Sequence, residues 1–207
     1  MKRKGILIII SGLSGAGKGT MVKRLVEKYD GYALSISATT REPRPGEVDG
    51  REYFFLKKEE FERKIAESGL IEYACYCDNY YGTPREYVEN QLADGRDVIL
   101  EIEIQGAHKV KEQYPDALTL FVMTPGAEEL RYRLESRGTE SAEVIEKRMQ
   151  RAAQEALGIE KYEYIVVNDN LEKCVDEVHR IIIAAHNASH RNMEFIDNIR
   201  RELEGEK

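Results

Sequence analysis

Cysteine is scarce in this chain of 207 residues, and the three present form no framework. Cys75, Cys77 and Cys174 make an odd count without regular spacing, which argues against a disulfide scaffold. Cys75-x-Cys77 has no second Cys or His pair at ligand spacing, so reduced thiols are expected rather than a metal site. Long apolar runs are missing as well. None approaches the ~20 residues that a membrane-crossing helix needs. The start, Met1-Lys-Arg-Lys before Ile6–Ile10, has the charge of a signal peptide. Its apolar run is too short, however, and Gly12 interrupts it at once. A net positive charge is absent too, with 31 Lys and Arg against 38 Asp and Glu, for a net charge of −7. Nonspecific binders of polymeric nucleic acid present a basic face, so neither a nucleic acid polymer nor a membrane is expected as a partner. The expected location is cytoplasmic. Small anionic ligands stay open, because a few convergent arginines can dominate one cleft. There is no internal repeat and no low-complexity stretch.

What is there is a globular composition, 42% hydrophobic and 33% charged with the signs mixed, enough to bury a sizeable core. Four runs rich in Ile, Leu and Val read as buried parallel strands: Ile6–Ile10, Val98–Ile104, Leu118–Met123 and Tyr164–Val167. Ala33–Ile36 is a weaker fifth. Helical patterns lie between them at Lys18–Tyr29, Glu59–Glu67, Arg85–Leu92, Ala127–Glu135, Ala142–Leu157 and Leu171–Ala188. Such alternation predicts an α/β fold, a parallel five-stranded sheet covered by helices. Thr83-Pro84-Arg85-Glu86 reads as a capping box with Thr83 as N-cap. Two segments break the alternation. The first, Ser37–Gly82, mixes Gly, Pro and charge with Tyr53, Phe54, Phe55, Tyr73, Tyr76, Tyr80 and Tyr81. The second, Ala127–Glu160, is charged and helical, interrupted at Arg137-Gly138-Thr139. The expected division is a core of 1–36, 84–126 and 161–190, an insert at 37–83, a helical lid at 127–160 and a tail at 191–207.

The strongest motif is Gly12-Leu13-Ser14-Gly15-Ala16-Gly17-Lys18-Gly19-Thr20, which follows a strand and opens a helix with Met21, Val22, Leu25 and Val26 on its apolar stripe. In that context it is a phosphate-binding loop. Glycines turn the backbone so that N–H groups face inward as an anion nest, continued by the helix N-terminus. Lys18 adds a point charge for the outer phosphates. The strict pattern has Ser or Thr directly after the lysine. Here Gly19 stands there and Thr20 follows, which leaves open whether a hydroxyl or water meets Mg²⁺. A second constellation places Arg41 and Arg44 three residues apart around a proline, with Tyr53 downstream. Guanidinium forks fit phosphate oxygens bidentately, so this loop suits a monophosphate.

At these residues the chain resembles the guanylate kinase family, over about Gly5 to His186. The likeness is carried by Ser37–Phe55, Ile71-Glu72-Tyr73, Asn79-Tyr80-Tyr81-Gly82-Thr83, Leu100–Gly106, Arg133–Glu140 and Val167-Asn168-Asp169. The resemblance implies a P-loop NTPase-type core with a small GMP-binding insert and a lid, transferring the γ-phosphoryl group of ATP to GMP, with dGMP as a further acceptor. It assigns the ATP phosphates to Gly12, Ser14, Gly15, Ala16, Gly17, Lys18, Gly19 and Thr20, with Asn168 near adenine. Arg41, Arg44, Tyr53 and Tyr81 would hold the GMP phosphate, and Ser37, Glu72, Thr83 and Glu103 would surround guanine. Lys18, Arg41, Arg137 and Arg148 would carry the catalysis. Mg²⁺ would arrive with ATP, near Thr20 and Glu101. Glu103 departs from the Asp often found there, and alternation along a strand would put it on one face with Glu101. The chemistry is consistent on its own terms: a carboxylate such as Glu72 can accept from guanine N1–H and N2–H₂, whereas adenine N1 would oppose it lone pair to lone pair. The other readings are a non-catalytic guanylate-kinase-like binding module and a P-loop kinase for a different small acceptor. A GTPase is disfavoured, since there is no Asn-Lys-x-Asp run.

Overall fold

The computed structural model describes residues 4–76, 78–136 and 141–205. Cys77 and the proposed lid residue Arg137, with the break that follows it, lie outside the described residues. Along the chain come β1 (Leu7–Gly12), α1 (Lys18–Lys28), β2 (Tyr32–Leu34), β3 (Ala38–Thr39), β4 (Phe54–Phe55), α2 (Lys58–Ala66), β5 (Leu70–Tyr76) and β6 (Asn79–Pro84). They are followed by α3 (Arg85–Ala93), β7 (Asp97–Glu101), α4 (Ile104–Gln113), β8 (Leu118–Met123), α5 (Ala127–Ser136), α6 (Ala142–Glu155), β9 (Tyr164–Val167), α7 (Leu171–His186) and α8 (Met193–Glu204).

The main sheet has five strands in the order β2-β7-β1-β8-β9. All its pairs are parallel, with Ile8 opposite Ile99 on one side and Leu118 on the other. Ile8, Ile9, Ile10, Ile99, Leu100, Leu120 and Phe121 have no exposed surface. Burial on both faces is why these strands read as unbroken apolar runs rather than alternating ones. The covering helices bury one stripe each: Met21, Val22 and Leu25 on α1, and Cys174, Val175, Val178 and Ile182 on α7. The chain leaves β1 towards the β7 side to form β2, and later crosses to β8 on the other side. The carboxyl end of β1 is therefore a switch point, where open α/β sheets bind ligands.

A second sheet, ordered β4-β3-β6-β5, occupies the stretch that the sequence set apart and runs on to Pro84. Phe61 of α2, Ala38 and Leu70 form its small core. Thr83 does not cap α3. It lies inside β6, buried, and donates to Glu72 Oε1 at 2.8 Å, while the helix begins at Arg85 with no side-chain cap. The partly buried carboxylate outcompetes the helix terminus for the hydroxyl. The run Val98–Ile104 is also shorter than expected. The strand stops at Glu101 and Ile104 opens α4, whose buried stripe is only Ala107 and Val110. So thin a stripe, with a glycine in the first turn, leaves little helical signal.

Candidate active site

At the switch point the chain must turn at once from β1 into α1. Gly15 and Gly17 do so at φ 101° and 84°, values that cost other residues strain. Gly15 is also confined in space, since a Cβ there would lie 2.8 Å from Leu134 Cδ2 of α5. Met21 N to Gly17 O, at 3.0 Å, is the first bond of the helix ladder. The N–H groups of Lys18, Gly19 and Thr20 precede it and lack helical acceptors, so with the helix dipole they form an anion-binding end. Asn168 braces the loop from beneath: it is buried, and its Nδ2 donates to Ala16 O at 2.8 Å.

Lys18 Nζ lies 3.8 Å from Glu101 Oε1 at the end of β7. The same carboxylate faces Gly19, where a Cβ would sit 3.4 Å from Oε1. The position that carries a hydroxyl in the strict motif is thus held close to an acid instead. Thr20 is exposed at the same end. A cavity of about 250 Å³ is bounded here by Ser14, Gly15, Gly17, Lys18, Thr20 and Arg148. Arg148 reaches in from α6 and donates from Nε to Ser14 Oγ at 3.2 Å.

In the stretch after α1, Arg41 follows β3. Its Nη2 donates to both oxygens of Glu47 at 2.9 Å, and the guanidinium lies 5.4 Å from the Tyr53 ring centre and 5.7 Å from that of Phe55. Arg44 gives Glu47 its backbone N–H at 2.7 Å while its side chain is exposed. The Arg44 N–H, together with Arg41, holds the Glu47 carboxyl below the usual carboxylate range. Tyr53 and Tyr81 are edge to face, with centroids 6.1 Å apart. Ser37, Tyr53, Thr83, Glu101 and Ile102 line one cavity of about 160 Å³. Burial pushes the Glu72 carboxyl above the ordinary range, against the opposing pull of the Thr83 hydroxyl and Lys109.

Glu103 stands apart from this cluster. It precedes α4 rather than continuing β7, so the strand alternation expected to align it with Glu101 does not apply. Its largely exposed side chain pairs with Arg151 Nη2 of α6 at 2.5 Å. Arg151 also donates from Nε to Glu155 Oε1 at 3.0 Å, and Glu155 Oε2 accepts from Ser14 N at 2.8 Å. Reading the sequence alone missed Glu47, Arg151 and Glu155. Helical periodicity carried a signal for the last two, since 148, 151 and 155 share one face. Glu47 had none beyond its place in a polar loop.

Among the described residues there is no group of three or more His, Cys, Asp or Glu placed to hold a metal ion. Among them, too, no helix is long and apolar enough to cross a membrane.

The geometry agrees with comparisons to known proteins. The sequence model of the guanylate kinase family matches residues 4–185. A guanylate kinase of Caldanaerobacter subterraneus subsp. tengcongensis is 50% identical over 202 residues, covering 98% of both chains. That of Oceanobacillus iheyensis is 51% identical over 186 residues, covering 90% of each. The crystal structure of guanylate kinase from Anaplasma phagocytophilum superposes with a TM-score of 0.72 at 31% identity, over 92% of this chain and 91% of that one. On a phosphate loop, an arginine–tyrosine cluster and relatives matched over nearly its whole length, this chain belongs to the guanylate kinase family.

Proposed function

We propose that the protein transfers the γ-phosphoryl group of ATP to GMP, giving ADP and GDP, and accepts dGMP as well. The observation that carries this reading is the arrangement of two anion sites of different construction on one cleft. One is the loop and helix end around Lys18, built from backbone. The other is Arg41 with Tyr53 and Tyr81, beside the Thr83–Glu72 pair. The relatives named above are guanylate kinases, which supports the choice of acceptor.

In this reading Gly12, Ser14, Gly15, Ala16, Gly17, Lys18, Gly19 and Thr20 receive the ATP phosphates, with Asn168 on the adenine side. Arg41, Arg44, Tyr53 and Tyr81 take the GMP phosphate, where Glu47 now meets Arg41 with two oxygens. Ser37, Glu72, Thr83 and Glu103 surround guanine. Glu72 accepts from its two donors, and the raised carboxyl pKa reflects a buried acid that such donors would stabilise in the ionised form. The segments 37–83 and 127–160 act as acceptor insert and lid over the core, closing on the substrates and excluding water.

Phosphoryl transfer needs positioning and charge neutralisation more than a covalent catalyst. The attacking GMP oxygen is already ionised near neutral pH, so no strong base is required. Lys18, Arg41 and Arg148, with Arg137 by family resemblance, neutralise the charge that spreads over the transferring group. The chain offers Glu101 beside Lys18 and Gly19, with Thr20 nearby. That donor set suits Mg²⁺, which takes one or two carboxylates and completes its shell with phosphates and water. When bound with ATP the ion supplies Lewis-acid neutralisation of the phosphate oxygens.

The test is coupled ADP release from ATP with GMP, dGMP, AMP, CMP and UMP as separate acceptors. Turnover with GMP and dGMP and little with the others is expected. Turnover with another acceptor would overturn the base-recognition argument but leave a kinase. Tight GMP binding without turnover would make the protein a binding module.

A further inference from the structure

A cavity of about 150 Å³ beside the phosphate loop has Gly12, Ser14, Lys18, Glu103, Arg151 and Glu155 in its lining. Three of these form a continuous chain of charge from the loop to the start of α4. Ser14 N donates to Glu155 Oε2 at 2.8 Å, Arg151 Nε to Glu155 Oε1 at 3.0 Å, and Arg151 Nη2 to Glu103 Oε1 at 2.5 Å. Arg148, on the same face of α6, grips the Ser14 hydroxyl. One helix thus holds the loop residue by both its backbone N–H and its side chain, and holds the acceptor-side acid through Arg151.

We infer that Arg151 is a positioning residue that couples the ATP loop to Glu103, so that a triphosphate on the loop tightens binding of the nucleotide acceptor. The inference rests on the function proposed above and extends it. Negative charge arriving beside Ser14 repels the Glu155 carboxylate and attracts the Arg151 guanidinium. Arg151 then turns towards the loop and its hold on Glu103 weakens. Glu103 is freed to face the acceptor base, for which its longer side chain gives reach. Arg151 suits this exchange because its planar fork serves two carboxylates at once through separate N–H groups. By linkage, the acceptor must tighten the triphosphate by the same factor.

The experiment is calorimetric titration of GMP into the full-length protein, with and without a saturating non-hydrolysable ATP analogue and Mg²⁺. In the unmodified protein the analogue should tighten GMP about fivefold. That is the low end of the usual range for coupled sites, because the Arg151–Glu103 pair is largely exposed and screened. In Arg151→Gln the ratio should fall to about 1. In Arg151→Lys, which keeps the charge but not the fork, it should lie between. Circular dichroism melts of both variants show whether either has lost its fold, and the milder lysine variant keeps the test open if the glutamine variant has. A ratio unchanged in Arg151→Gln, or a ratio of 1 in the unmodified protein, overturns the inference alone. A protein that takes the analogue but no GMP overturns the acceptor reading and the inference together.

Discussion

The two proposed anion sites are built from opposite materials. The phosphate loop is backbone: left-handed glycines, the open N–H groups of α1 and one lysine, braced from beneath by Asn168. The acceptor side is made of side chains that already satisfy one another, with Arg41 on Glu47 and Thr83 on Glu72. The helix-end N–H groups of Lys18, Gly19 and Thr20 lack helical acceptors, and among the described residues of the loop the Ser14 N–H alone is held by a carboxylate, that of Glu155. In the proposed reading the Arg41 fork exchanges the Glu47 carboxylate for a phosphate, so part of its binding energy goes into breaking an existing pair. The loop is therefore expected to act through charge at the moment of transfer, and the insert through affinity and choice of acceptor.

The largest effect that would sharpen this contrast is at Lys18. Lys18→Ala leaves the backbone nest in place and removes the point charge, so kcat should fall by roughly 10³-fold. The KM for GMP should change little, measured by the same coupled assay. Arg41→Gln should do the reverse in kind: kcat/KM for GMP drops about 10–100-fold, the worth of a charged hydrogen bond, and the KM for ATP stays near its starting value. A large rise in the KM for GMP in Lys18→Ala would break the division between the two sites.

The same contrast explains what was legible in the sequence. Gly12–Thr20 could be read outright, because a strand, spaced glycines and a lysine specify a local shape that owes little to the rest of the chain. The five parallel strands were legible because burial on both faces leaves unbroken Ile, Leu and Val runs. The acceptor-side reading rested on two guanidinium forks around a proline and on family resemblance, since surface arginines taken singly usually mean nothing beyond solvation. The carboxylates that engage the site residues were missed. Glu47 reaches Arg41 through a loop turn, and Glu155 reaches Ser14 across 141 residues of chain. No local pattern encodes either meeting. Thr83 was misread for a related reason: its spacing fits a cap, but its partly buried partner on β5, Glu72, is invisible from its neighbours.

The smallest and most specific effect concerns Glu72. Its carboxyl titrates above the ordinary range because burial disfavours the charged form. Guanine N–H donors need that form. GMP affinity should therefore be independent of this group above its raised pKa, and should weaken as pH falls through that value, by about tenfold per pH unit below it. The GMP phosphate also titrates, near pH 6, but it does so equally for any variant. The difference between the unmodified protein and Glu72→Gln, in GMP affinity against pH, isolates the carboxyl. The difference should be largest above the raised pKa and close as the pH falls below it. Stability runs with the opposite sign, for a different reason. The folded state binds this proton more tightly than the unfolded chain, so the empty protein loses stability as pH rises from the ordinary glutamate range through the raised value. In Glu72→Gln that contribution disappears, and the melting temperature should gain on the unmodified protein as pH rises through the window. Parallel affinity profiles for the two proteins would mean that Glu72 does not meet the base, and recognition of guanine would then fall to Ser37, Thr83 and Glu103.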